Sequence, residues 1–177
     1  MGRIVHDYGF YKGGSYSTNA AHSCTSVKYL SFAERTALLQ HVRWYIKADL
    51  EKGFRQFGTH PVDWRFQVYC NGMDEHYIDL ACPYGKTNSP LEFCPPVHLF
   101  AESAAVRYSQ MNNCQAPRLG THVDDIFGGF PNCNSYELAC DFRQYLVNNG
   151  RALTIVLNMD EQKTPMPAEK QIILGCM

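Results

Sequence analysis

The stretch that most constrains this chain is Thr121-His122-Val123-Asp124-Asp125-Ile126-Phe127-Gly128-Gly129-Phe130, two adjacent carboxylates between short apolar runs with glycines just beyond. The flanking runs read as strands, and neighbouring side chains of a strand point to opposite faces. Both acids can therefore serve one site only where the backbone turns, so the stretch is expected to be a strand-turn-strand with Asp124 and Asp125 at its tip. Like charges held that close are unfavourable unless a cation joins them. The plainer reading is an ordinary solvated turn, since Asp is common in turns.

With 177 residues the chain can bury one core of its own, and its length favours a single domain over 1–177. A hydrophobic share of 45% and an aromatic share of 13% belong to a folded globular protein. The net charge of −1 offers no global basic field, so contact with nucleic acid would have to rest on local patches. None of the 8 cysteines forms a C-x-x-C pair, which argues against a zinc module. No charged-then-apolar leader opens the sequence and no apolar run reaches the ~18 residues of a membrane span. The expectation is an intracellular protein with free thiols and no membrane partner.

Ser31-Phe32-Ala33-Glu34 is a capping-box pattern, and the apolar spacing after it predicts a helix over 32–43 with one buried stripe. Trp44 to Asp49 then turns strand-like, with Asp49 at the C-terminal end, and Leu50 to Gln56 reads as a tight turn or short helix. Trp64–Tyr69 and Glu75–Leu80 alternate with period two around Asn71-Gly72, a hairpin signal. Pro90 opens a second helix reaching about Ser109, and Pro95-Pro96 predicts that it is kinked or starts late. A third helix is capped at Asn134-Ser135-Tyr136-Glu137 and stopped at Asn149-Gly150. Arg3-Ile4-Val5, Leu153–Leu157 and Gln171–Leu174 read as further strands. The order of elements fits an α+β fold, an antiparallel sheet with helices packed on one face.

A geometric consequence follows. Should the strand ending at Asp49 pair beside the Asp124-Asp125 hairpin, three carboxylates meet at one edge of the sheet. An oxygen-only cluster suits a hard cation such as Mg2+. Two ions held by such acids stabilise the attacking and leaving oxygens of an in-line phosphoryl displacement.

With these residues in view the sequence resembles the reverse transcriptases, most closely those of retrotransposons, over nearly its whole length. Arg3-Ile4-Val5-His6-Asp7 with Ser17-Thr18-Asn19 is similar to the fingers segment R-x-(I/V)-x-D…(V/L)-N. Lys47-Ala48-Asp49-Leu50-Glu51-Lys52-Gly53-Phe54-Arg55-Gln56 is similar to the palm motif K-x-D-L-x-x-A-F-x-Q. Cys82-Pro83-Tyr84-Gly85-Lys86-Thr87-Asn88-Ser89-Pro90-Leu91-Glu92-Phe93 resembles L-P-F-G-L-x-S-S-P-x-x-F. His122-Val123-Asp124-Asp125 stands for Y-x-D-D, and Gly150-Arg151-Ala152-Leu153, Lys163-Thr164-Pro165 and Ile173-Leu174-Gly175 follow G-x-x-L…K-T-x-P…F-L-G.

The resemblance implies a polymerase palm-like sheet with partial fingers (1–30 partial fingers, 31–177 palm with an interleaved fingers segment) and no thumb. It implies an RNA-directed DNA polymerase that takes an RNA or DNA template with primer and deoxynucleotide triphosphates. Asp49 and Asp124 would hold two Mg2+ ions, with Asp125 the third acid and the Leu50 carbonyl an added ligand. Phe54 would pack under the incoming sugar and exclude a 2′-hydroxyl; otherwise it is a core aromatic. Arg3 would pair with the triphosphate, or else is a surface charge. Tyr84 and Gly85 would line the nucleotide pocket, or else form a simple turn. Lys163 would protonate the pyrophosphate leaving group, or else is a solvated loop lysine. Departures are His122 where Tyr is usual, Gly53 for Ala, Tyr84 for Phe, and the double proline. They motivate an alternative, a catalytically silent subunit derived from a reverse transcriptase and working among other protein chains of a larger assembly. A nucleic-acid binding module without catalysis is a third reading.

Overall fold

The computed structural model describes Asn19, residues 27–70, Met73 and residues 75–171. Arg3, Ile173-Leu174-Gly175, and the strands expected at Arg3-Ile4-Val5 and beyond Gln171 lie outside the described residues, as does the Asn71-Gly72 turn. Two compact units are present, one drawn from Met1–Val27 and Lys52–Phe93, the other from Lys28–Glu51 and Cys94–Met177.

The second unit is built on a three-stranded antiparallel sheet, β1 (Ile46–Asp49), β5 (Asp125–Gly129) and β4 (Arg118–His122), with β5 in the middle. Ala48 opposes Ile126, and Asp49 opposes Asp125. On the other side His122 opposes Asp125, which leaves Val123 and Asp124 as the connecting turn. Ile126, Phe127, Gly128 and Gly129 are all buried, so both faces of the central strand are covered. Three glycines make that close approach possible. A Cβ at Gly128 would stand 1.9 Å from the Arg118 carbonyl oxygen, and one at Gly129 would stand 2.5 Å from Val42 Cγ1. One at Gly120 would meet the Phe127 ring at 2.9 Å.

Helix α1 (Phe32–Leu39) carries the expected capping box, with the Ser31 hydroxyl accepting from Glu34 N and Glu34 accepting from Ser31 N. It is shorter than predicted and buries none of its residues. The chain leaves the helix at Gln40, and His41 has a left-handed φ of 65°, which carries Val42 out to bridge Pro131 and into the core. Helix α2 (Ser89–Asn112) starts where Pro90 suggested, not late, and continues past Pro95 and Pro96. The carbonyls these prolines cannot bond belong to Leu91 and Glu92, neither of them buried, so water is open to the freed acceptors.

Helix α3 (Tyr136–Ala152) begins as expected, with the Ser135 hydroxyl accepting from Leu138 N, but it passes through Asn149-Gly150. A Cβ at Gly150 would lie 2.5 Å from the Ile155 carbonyl oxygen. This glycine serves a close approach inside the fold and is not a stop. The strand expected at Leu153–Leu157 is reduced to one bridge, Leu50 with Leu157. The core is closed by Tyr108, Phe130 and Phe142, whose rings pack edge-on or tilted with centroids 5.0 to 6.1 Å apart.

The first unit has two short 3-10 helices (Gly53–Gln56 and Pro61–Phe66) and a ribbon of β2 (Val68–Cys70) and β3 (His76–Ile78). The strand predicted over Trp64–Tyr69 is therefore helical through Phe66 and a strand only from Val68. Pro61 sits at the first position of a turn that His60 caps through its ring nitrogen, a start signal that outweighs the alternation after it. Among the described residues the cysteines are free thiols. No helix formed by those residues is long and apolar enough to cross a membrane.

Candidate functional site

The end of β1 and the tip of the β4–β5 hairpin meet through the backbone. Leu50 N donates to the Asp124 carbonyl at 2.9 Å, one residue past the Asp49–Asp125 pair. Paired residues on adjacent strands share a face, so Asp49 and Asp125 point the same way and Asp124 stands at the turn beside them. That turn has a left-handed φ of 54° at Val123, an uncommon conformation for a β-branched residue and a mark of local strain.

Crowding shows in the acids themselves. Burial, then the neighbouring Asp124, holds the Asp49 carboxyl above its usual range, against the pull of Lys163, Asn158 and Lys47. Burial is also the main cause that raises Asp125; Lys47 opposes it, while Asp124 and Asp49 add to it. Lys47 Nζ stands 3.7 Å from Asp125 Oδ1, close enough for attraction and too far for a hydrogen bond. That buried oxygen thus has no hydrogen-bond partner.

One loop grips Asp49 from the other side. Asp49 N donates to Thr164 Oγ1 at 3.1 Å, and Asn158 N donates to the Asp49 carbonyl at 2.7 Å. Asn158 Nδ2 donates to Asp49 Oδ2 at 3.4 Å, and Lys163 Nζ is 3.9 Å from Oδ1. The loop is anchored by Arg143, whose Nε donates to the Pro165 carbonyl at 2.9 Å and Nη2 to that of Thr164 at 2.6 Å. Lys47 and Thr164 stand in the matched motifs with no role of their own assigned there, and Asn158 and Arg143 stand in none of them. Two residues before Asp49 on a strand, Lys47 shares that acid's face.

The side chains as placed bring no three His, Cys, Asp or Glu groups within joint reach of a metal ion among the described residues. In kind they fit a hard cation. The donors are carboxylate oxygens only, Asp49 and Asp125 are raised first by burial and then by neighbouring carboxylates, and one buried oxygen of Asp125 lacks a hydrogen-bond partner. The backbone pairing sets Asp49 opposite Asp125, with Asp124 in the turn beside them.

The remaining expected residues lie in the first unit. Phe54 is buried, stacked on Phe93 at 4.4 Å and edge-on to Tyr84 at 5.1 Å. Gly85 has φ of 93°, and its carbonyl accepts from Asn19 Nδ2 at 2.9 Å while Asn19 Oδ1 accepts from Thr87 N. Asn19 thus ties the turn that follows Tyr84. His122, in place of the usual Tyr, packs against Tyr29 with ring centroids 4.6 Å apart.

No family profile matches the chain, and no curated protein sequence does either. Solved structures do. A foamy viral protease-reverse transcriptase in complex with double-stranded DNA is similar over 98% of this chain, with a TM-score of 0.69 and 14% identity. The native prototype foamy virus protease-reverse transcriptase covers 93% of the chain, with a TM-score of 0.61 and 17% identity. The chain spans 26% and 19% of the lengths of these two proteins. Mixed α+β, with antiparallel sheets and packed helices, this chain has the fold of part of a reverse transcriptase.

Proposed function

We propose that the chain is the palm, with part of the fingers, of an RNA-directed DNA polymerase of the retrotransposon type. It would extend a primer on an RNA or DNA template by template-directed nucleotidyl transfer from deoxynucleotide triphosphates. The observation that supports this most is the junction where Leu50 N binds the Asp124 carbonyl and Asp49 faces Asp125. Asp49 and Asp124, aided by Asp125 and the Leu50 carbonyl, would hold two Mg2+ ions. When bound, these ions neutralise charge on the reacting phosphates and on the attacking and leaving oxygens.

The chain's own residues have distinct parts. Lys47 offsets the charge of Asp125 and leaves Asp49 and Asp124 as the freer ligands. Lys163, half exposed on its loop, has an ammonium group able to give a proton to the departing pyrophosphate. Phe54 would bar a 2′-hydroxyl with its ring, Tyr84 and Gly85 would line the nucleotide pocket, and Arg3 would pair with the triphosphate through its planar fork. Primer extension in Mg2+ tests the reading, with Asp124→Asn as control. Extension by the unmodified chain and its loss in the variant is expected, and equal behaviour of the two removes the enzymatic assignment.

A second reading has one observation in its favour. Leu99, Val106 and Met111 on α2 are 67%, 50% and 72% exposed, as in a subunit that docks onto other protein chains. A catalytically silent component of a larger assembly would show no extension with any template.

A further inference from the structure

Resting on the polymerase reading above, we infer that Asn158 is a positioning residue for Asp49, fixing the carboxylate in the orientation that receives a divalent cation. The amide has its two ends committed to different partners. Its oxygen accepts from Asp160 N at 3.1 Å, and its nitrogen donates to Asp49 Oδ2 at 3.4 Å. Because Asp160 N can only donate and a carboxylate oxygen accepts, the network itself sets which way the amide points.

The platform beneath the amide is firm. Asn158 N is bonded to the Asp49 carbonyl at 2.7 Å, so donor and target are held by main chain on both sides. Asp160 organises the rest of the loop, its side chain accepting from Gln162 N and its carbonyl from Lys163 N and Thr164 N. Thr164 is fully buried and clamped by Arg143.

The two oxygens of Asp49 are thereby made different. Oδ2 is met by a neutral donor at 3.4 Å, the long end of hydrogen-bond range, whereas Oδ1 has the half-exposed Lys163 ammonium at 3.9 Å. A carboxylate tethered at one oxygen presents the other without first losing rotational freedom, which lowers the cost of capturing an ion. The donated hydrogen bond also supports a negative charge that burial and Asp124 oppose.

The decisive comparison is Mn2+ binding to the full chain, followed by electron paramagnetic resonance, for the unmodified chain, Asn158→Ser and Asn158→Gln. Serine can still accept from Asp160 N as a turn residue but is too short to reach Asp49; glutamine keeps an amide donor. We expect Asn158→Ser to bind Mn2+ about five-fold more weakly, the loss of one ordinary hydrogen bond, at an unchanged melting temperature. Asn158→Gln should stay within about two-fold of the unmodified chain, given a retained donor. Should Asn158→Ser fail to fold, Asn158→Thr, with the same reach, is judged by the same criterion. Unaltered Mn2+ affinity in the serine variant, or equal weakening in both variants, would overturn the positioning role alone. Absence of Mn2+ binding by the unmodified chain would overturn the polymerase reading and this inference with it.

Discussion

The acid-bearing end of the β1–β5–β4 sheet and the β2–β3 ribbon are both antiparallel pairings of short strands, yet they are held by different means. At the acid end the central strand is buried on both faces, glycines let backbone approach backbone, and a loop grips Asp49 by its own main chain. In the ribbon, Val68 and Ile78 oppose each other while 47% and 52% exposed, and Tyr69 stacks on Tyr77 at 5.6 Å. The first arrangement is buried among neighbours on both faces, whereas the second leaves its paired apolar side chains half exposed. Crowded carboxylates raise the energy of a fold, and only the first kind of region can hold them in place.

The contrast breaks most sharply at Gly128. Gly128→Ala forces a Cβ against the Arg118 carbonyl and should cost at least about 3 kcal/mol or abolish folding. Chemical denaturation of the variant measures it, and a loss under about 1 kcal/mol would mean the strand pairing is looser than described. Next, Arg143→Met strips the Thr164 and Pro165 carbonyls of their donor. It should destabilise by about 2 kcal/mol, with the cost of buried acceptors left unpaired, and should weaken Mg2+ affinity as the loop loosens.

Smaller effects are expected at the turn and on the ribbon. Val123→Gly relieves a left-handed β-branched residue and should raise stability by about 1 kcal/mol in a thermal melt. A neutral or destabilising result would show that the turn is not strained. Ile78→Thr, on the exposed ribbon, should shift stability by no more than about 0.5 kcal/mol. A large loss there would reveal that the ribbon is packed and not merely paired.

Sequence patterns revealed the hairpin and β1 because each joins short β-rich runs to a chemistry that needs a turn or a strand end. Both α1 and α3 were announced by their capping serines, Ser31 and Ser135, since a cap is a local event. What escaped was decided by distant contacts. Gly150 looked like a stop because its reason, the Ile155 carbonyl, lies across a turn. The segment 153–157 has strand-like residues, but only Leu157 finds a strand to bridge. The helix continues past Pro95 and Pro96 where Leu91 and Glu92, one turn earlier, are not buried, a fact no spacing carries. At the site the acids stood out by type, whereas Asn158, Thr164 and Arg143 act through main-chain geometry that appears only once the loop is folded.

If Asp49 and the Asp124-Asp125 turn share a divalent cation, iron-directed cleavage reveals it without requiring catalysis. Fe2+ in place of Mg2+, with ascorbate and peroxide, cuts backbone near the bound ion. Cuts are expected at two separate places in the sequence, near residue 49 and near residues 123–125, both suppressed by excess Mg2+ and both lost in Asp124→Asn. Cleavage at only one of these places, or at neither, would contradict a shared ion.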